Sequence, residues 1–329
     1  INCLEVKRMK QKKLLTTTFL LAGSALAGTA LINKAVFVSA TKKNILNNRL
    51  FYSYRWRLGD IKYLKTGKGS PLLLIHDLNS SSSSYEWSNV IEQLSKTHTV
   101  YAIDLLGCGV SEKVNITYTN YMYVQLICDF VKDVIRKKTD VIASSLSCSI
   151  AVMSCFNDSS LFNRIILVNP VSLAATAKIP GRHSKFLRIL LNTPIIGTLI
   201  YNLTHSRNNI ADMFSTSYFA NKSHIKSEYI NAYYESAHFN GSNSRFVNSS
   251  RKGNYTTANV NNAIRKINNS IIIVGGSTVP DINRIITEYT LINPSIESVI
   301  INQAGILPHL EVPNRFLKTI APYIAEIPD

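Results

Sequence analysis

The sequence predicts an α/β protein: a mostly parallel, open central sheet with helices on both faces and a helical insertion. Three observations carry that expectation. Short β-branched runs recur, "PLLLIHD", "TVYAID", "DVIAS", "RIILVNP" and "SIIIVGG", each followed by turn or breaker residues. Apolar runs without alternation mark strands buried on both faces, as in a parallel sheet. Helical patterns separate these runs, and the order strand, helix, strand, helix argues for right-handed crossovers. Finally, 329 residues, 46% hydrophobic and only 17% charged, supply a sizeable core without long disordered tails.

Taken in order, the chain opens with a basic stretch. Met9 begins "MKQKKLLTTTFLLAGSALAGTALI", in which Lys10, Lys12 and Lys13 precede an uncharged run from Leu14 to Ile32. That length suits one membrane-crossing helix, and Ala25-Leu26-Ala27 offers a small-residue cleavage site. Residues 1–41 are expected to be a signal or anchor unit, with a retained anchor favoured over a cleaved signal. The lysines would keep the N-terminus inside and the globular part outside; cleavage would make the protein secreted. A buried core helix is the alternative.

From Phe51 the pattern shifts to strands. "FYSYRW" and "IKYLKTG" read as a pair with a turn at Gly59-Asp60. Helical patterns cover Glu86 to Lys96, Tyr118 to Arg136 and Leu146 to Asn157, so residues 42–170 form the first half of the core. From about 171 to 269 the chain is richer in Asn, Ser and Tyr, with helical pieces such as "KFLRILLNTPIIGTLIYNL" and "SEYINAYYESAHF". This reads as a helical insertion. Residues 270–329 resume the sheet, with a strand near Ser298 to Asn302 and an amphipathic helix from Asn314. No internal repeat is visible.

Charge narrows the partners. The formal charge of +16 comes from 36 Lys+Arg against 20 Asp+Glu. The basic residues are scattered, apart from "KRMKQKK", and no nucleic-acid module is present, which argues against that class. Attraction to anionic lipid head groups uses the excess better. The five cysteines show no Cys-x-x-Cys spacing, and Cys148 and Cys155 share a helix face as small apolar residues. There is no H-E-x-x-H, no phosphate-binding G-x-x-x-x-G-K and no G-x-G-x-x-G at a strand-helix junction, so neither metal nor cofactor is expected. The serine run in "LNSSSSSYEW" reads as a flexible loop. Trp87, Tyr121, Tyr123, Tyr233 and Tyr234 read mostly as core or lid packing, with one or two as pocket-lining candidates.

Sites in open α/β sheets lie at the carboxyl ends of the strands. Four such ends stand out: "LLLIHDLNSSSSSYEW", "AIDLLGCGVSEK", "VIASSLSCS" and "IIIVGGSTVPD". From Phe51 onward the chain resembles the α/β-hydrolase fold superfamily, nearest its lid-bearing esterase- and lipase-like members. The likeness rests on His76-Asp77, "DLLGCGVSE", the turn around Ser145, "LVNP" before the insertion, and "AGILPHLEVP". These occur in the family's order and spacing.

The resemblance implies a site. The family's G-x-S-x-G turn presents a nucleophilic serine on a strained strand-to-helix elbow; here it reads Ala143-Ser144-Ser145-Leu146-Ser147. Ser145 takes the nucleophile position, and a serine merely capping the next helix is the bland reading. The backbone N–H groups of Leu78 and Leu146 match the oxyanion hole, with His76, Asp77 and Ser144 expected to line the pocket. Asp77 stands where the family has glycine, and its carboxylate would oppose a developing oxyanion only if it faced the site. The base position falls on Ile306, leaving His309 as a displaced-base candidate. The acid position falls on Val279, leaving Asp281 as acid candidate, though Asp281 suits a helix N-cap or first turn better.

Two functions follow. One is a serine hydrolase of ester or acyl bonds with an unconventional base. The other is a non-catalytic protein that kept the site and lid for a small-molecule or lipid-like acyl ligand, or for interactions at a membrane surface. An exposed apolar patch on Phe186 to Tyr201 would mark a lid that docks on a membrane. The sequence says nothing of oligomeric state.

Overall fold

The computed structural model describes residues 23, 24 and 26–324. Most of the Leu14–Ile32 run, with Lys10, Lys12 and Lys13, lies outside the described residues. The described chain begins with helix α1 (Leu26–Thr41), and no single described helix is long and apolar enough to cross a membrane.

Eight strands form one sheet in the order β1-β2-β4-β3-β5-β6-β7-β8. They are β1 (Tyr52–Trp56), β2 (Gly59–Thr66), β3 (Ser70–Ile75), β4 (His98–Ile103), β5 (Thr139–Ser144), β6 (Phe162–Val168), β7 (Ser270–Gly276) and β8 (Glu297–Ile301). The β1–β2 and β2–β4 pairs are antiparallel and every other pair is parallel. The expected turn at Gly59-Asp60 needs correcting. Trp56 pairs with Gly59, so Arg57 and Leu58 make the loop and Gly59 already belongs to β2.

Period-two alternation explains the two cores. Leu73, Ile75, Val141, Ala143, Ile165, Leu167, Ile271 and Ile273 face one layer. Leu72, Leu74, Ile142, Ile166, Val168, Ile272 and Val274 face the other. The first layer is closed by α3 (Asn120–Phe130) and α4 (Ser147–Asn157), through Tyr123, Phe130 and Ile150. The second is closed by α2 (Ser88–Leu94) and α14 (Pro313–Ile324), through Val90, Leu94, Phe316 and Ile320. Thr119 sets the start of α3 by accepting from the Met122 N–H. The helical pattern from Tyr118 to Arg136 is interrupted: after Phe130 one wide turn runs over Val131–Ile135 and stops at Arg136, φ 60°. Cys108, Cys128, Cys148 and Cys155 are buried free thiols.

Helices fill the chain between β6 and β7. They are α5 (Leu173–Thr176), α6 (Arg182–Asn192), α7 (Ile196–Thr204), α8 (Arg207–Met213), α9 (Ser227–His238), α10 (Ser244–Lys252) and α11 (Asn261–Lys266). An aromatic cluster of Phe214, Tyr218, Tyr229 and Tyr233 packs them against Tyr85, Leu307 and Leu310. The serine run is a second correction. Ser80 to Ser84 are all buried, at 2% exposure or less. Tertiary partners draw this polar loop inward: Ser84 N–H donates to Asp104 Oδ1 at 2.6 Å, and Ser236 Oγ donates to the Ser82 carbonyl at 2.9 Å. Asp104 Oδ2 also accepts from Val110 N–H at 2.8 Å, so close to Gly109, φ 52°, that a Cβ there would sit 2.1 Å from the carboxylate.

Two insertion histidines make this packing acid-sensitive. His205 donates Nδ1–H to the Tyr201 carbonyl at 3.0 Å and lies 3.2 Å from Ser80 Oγ; His238 donates Nδ1–H to the Tyr234 carbonyl at 2.8 Å. Burial lowers each to about 4 from 6.5. Between those values the unfolded chain binds more protons than the folded one, so stability falls as pH drops from about 6.5 toward 4. By about pH 5 the loss should reach about 2 kcal/mol for each histidine. Urea midpoints measured between pH 7 and pH 5 should flatten in a His205→Asn/His238→Asn variant.

Candidate active site

At the end of β5 the chain turns sharply. Ser145 has φ 49°, a left-handed conformation unusual for serine, and is only partly exposed. Its N–H donates to the Val168 carbonyl at 2.9 Å, continuing the ladder to β6, and its own carbonyl accepts from Cys148 N–H. Helix α4 then begins at Ser147, with Leu146 as its N-cap and no side-chain cap. The hydroxyl of Ser145 therefore caps nothing; the turn holds it at the strand-to-helix elbow. Ala143 and Ser147, where glycines were expected, are fully buried and fit. Ser147 Oγ donates to the His76 carbonyl at 2.6 Å and fastens the elbow to the end of β3.

The loop after β3 completes the site from the other side. His76 donates Nδ1–H to the Asp77 carbonyl (2.7 Å) while Nε2 accepts from Leu105 N–H (3.1 Å). Both ring nitrogens are committed to backbone, so His76 is a structural residue. Asp77 is turned inward, and its Oδ1 accepts from the Leu146 N–H at 3.1 Å. That N–H is one of the two expected oxyanion donors. Leu78, the other, is fully buried. Burial raises the Asp77 carboxyl above its ordinary value; Arg251 opposes that rise and Glu86 adds to it.

The candidate base and acid do not meet Ser145. His309 is wholly buried, its Nε2 3.1 Å from Glu86 Oε1 and its ring stacked on Trp87 at 4.0 Å. Glu86 also accepts from Tyr233 OH (3.2 Å) and Asp77 N–H (3.3 Å) through Oε2. Burial alone would push Glu86 up, but the bond to His309 and its charge outweigh it and hold the carboxyl below 4.5. Ser144 is fully buried beside the elbow, and its hydroxyl has no hydrogen-bond partner among the described residues. Asp281 occupies the N-cap position of α12 (Ile282–Ile292) at φ 59°, makes no cap bond, and pairs with Arg284 at 3.0 Å on the exposed surface. Among the described residues, no side chain hydrogen-bonds the Ser145 hydroxyl.

Ile306 sits in a tightly held loop between β8 and α13 (Pro308–Glu311). Asn169 Nδ2 donates to the Ile306 and Gly305 carbonyls (2.8 and 3.2 Å), Leu307 N–H donates to the Tyr218 carbonyl, and Gly305 N–H donates to Glu311 Oε2 (2.8 Å). The Ile306 side chain packs partly buried against the aromatic cluster. No sequence pattern singles out Glu86, Tyr218 or Arg251, and Tyr233 reads there only among the aromatics. Nothing local marks Glu86, a single carboxylate beside two aromatics. Among the described residues no group of three metal-ligating side chains occurs.

Comparison with known proteins agrees with the fold. A model of the alpha/beta hydrolase family matches residues 72–319. The chain is 30% identical over 116 residues to 2-hydroxy-6-oxo-6-(2'-aminophenyl)hexa-2,4-dienoic acid hydrolase of Metapseudomonas resinovorans, covering 35% of this chain and 40% of that protein. It is 30% identical over 109 residues to a soluble epoxide hydrolase of Corynebacterium sp. (strain C12), covering 33% of this chain and 37% of the relative. The matched stretches thus span about two fifths of these relatives. Among solved structures, a serine hydrolase involved in carbazole degradation superposes with TM-score 0.67 at 19% identity, covering 84% of this chain and 99% of that one. A bacterial membrane phospholipase A superposes with TM-score 0.66 at 16% identity, covering 95% and 98%. At such identities the structural likeness is one of fold.

Proposed function

Because the chain belongs to the alpha/beta hydrolase family, we propose that it holds a small-molecule or lipid-like acyl ligand at the family's site without hydrolysing it. One observation carries this reading: the Asp77 carboxylate on the Leu146 N–H. An oxyanion hole works by keeping donors vacant and aimed at a developing negative charge. Here a fixed acceptor already fills one donor, and when ionised it repels the charge that donor would stabilise.

Two further features support the reading. A serine hydroxyl needs a base to take its proton, and the family's base position is Ile306 while His309 is bound to Glu86. The acid position is Val279, and Asp281 is paired with Arg284. The elbow itself persists, with Ser145 at φ 49° and open to solvent in part. Loss of base and oxyanion donor together removes several orders of magnitude in rate, whereas Ser145 stays partly exposed at the elbow.

The test is a fluorophosphonate probe applied to the full chain, beside a panel of fatty acids and aromatic carboxylates in a thermal-shift assay. Wild type and Ser145→Ala should both stay unlabelled, and at least one acyl compound should raise the melting temperature. Stoichiometric labelling that disappears in Ser145→Ala would restore the hydrolase reading.

A further inference from the structure

We propose that α1 and the α6–α7 pair form one face that docks on an anionic lipid bilayer. The three helices are joined. Asn33 of α1 is buried, donates Nδ2–H to the Ile195 carbonyl at the α6–α7 bend (3.3 Å) and accepts from Asn202 Nδ2 of α7 (2.8 Å). Phe37, one turn on, packs against His238. These contacts use the inward side of α1 and leave Leu31 (69%) exposed. On α6, Phe186 (68%) and Ile189 are exposed at helical spacing, and on α7 Ile196 and Leu203 are exposed as well. Large apolar side chains clustered on adjacent exposed helices mark an interaction surface.

Charge selects the partner. Residues 23–43 and 178–204 contain no Asp or Glu, while Lys34, Arg182 and Lys185 stand exposed beside the apolar positions. A second copy of the chain would bring the same cations against each other across a two-fold contact, which costs electrostatic energy. Phosphate head groups answer both features at once, taking the cations at head-group level and the apolar side chains just beneath. The geometry suits lying on the bilayer. The α6–α7 pair is apolar enough over its length to pass for a span, but it is bent by 97°. This docking is independent of whether Ser145 reacts.

The test places a local probe on the full chain, because the apolar run before residue 33 could hold the chain on a vesicle by itself. Phe186→Trp reports the proposed face, and Leu291→Trp, at least as exposed on α12, reports a surface elsewhere; Trp56 and Trp87 are buried and form a common background. Both variants are mixed with phosphatidylcholine vesicles, with or without about one third phosphatidylglycerol, bearing brominated acyl chains. Residue 186 should be quenched about twofold and residue 291 should not, with Arg182→Glu/Lys185→Glu weakening the anionic-vesicle effect about tenfold. Equal quenching at both positions, or none at 186, overturns the proposal. So does concentration-dependent self-association without quenching, which would assign the face to a second copy.

Discussion

Replacing Asp77 by Gly, Ile306 by His and Val279 by Asp together should make Ser145 reactive toward a fluorophosphonate, at least about a thousandfold faster than wild type. Each change repairs a distinct defect. Asp77→Gly vacates the Leu146 N–H, and one oxyanion donor is worth about 10²–10³ in rate. Ile306→His places an imidazole on a loop already clamped by Asn169, Glu311 and the Tyr218 carbonyl. Val279→Asp supplies an orienting carboxylate in the turn after β7. Because donor, base and acid act as a unit, single changes should do little and the triple should exceed their product. Asp77→Asn is the control: its amide oxygen still accepts from Leu146, so the site should stay silent. Labelling at the wild-type rate in a folded triple variant would refute this explanation of the silent serine.

Breaking the Glu86–His309 pair should be the most destabilising single change near the site. His309→Ala should cost about 3–5 kcal/mol by urea denaturation, because it leaves a carboxylate buried without its partner. Both side chains are at 0% exposure, and the imidazole also fills the space against Trp87 and Phe316. Glu86→Gln should cost less, since an amide can keep contacts to Tyr233 and Asp77. The sign with pH follows from the lowered Glu86 carboxyl. A depressed acid contributes stability in full above the unfolded value of 4.5 and loses it as pH falls through the folded one. His309→Ala should therefore approach wild type only well below pH 4.5. A loss under about 1 kcal/mol near neutrality would show the pair to be dispensable.

The histidine nearest the family's pattern is thus held away from the serine. His309 lies three residues beyond Ile306, on the first turn of α13, and faces the start of the helical stretch after β3. Recruiting it to Ser145 would break its buried hydrogen bond to Glu86, and that energetic cost makes it a structural residue. Glu86 in turn accepts the Asp77 N–H, so the pair also steadies the loop whose carboxylate accepts from the Leu146 N–H.

Much of this was legible in the residues alone. Uninterrupted β-branched runs required strands buried on both faces, hence a covered parallel sheet. The elbow spacing picked out Ser145 and the hydrocarbon at 306 as candidates, because side-chain chemistry belongs to the residue itself. What the residues left open depended on direction and on distant partners. Whether Asp77 faced the elbow, whether the serine run was surface or core, and what His309 touched were decided by contacts across 69, 154 and 223 positions of chain. Local patterns report periodicity and turn chemistry, whereas burial of a polar group is set by which remote donor or acceptor arrives to satisfy it, and only the folded chain brings that partner into place.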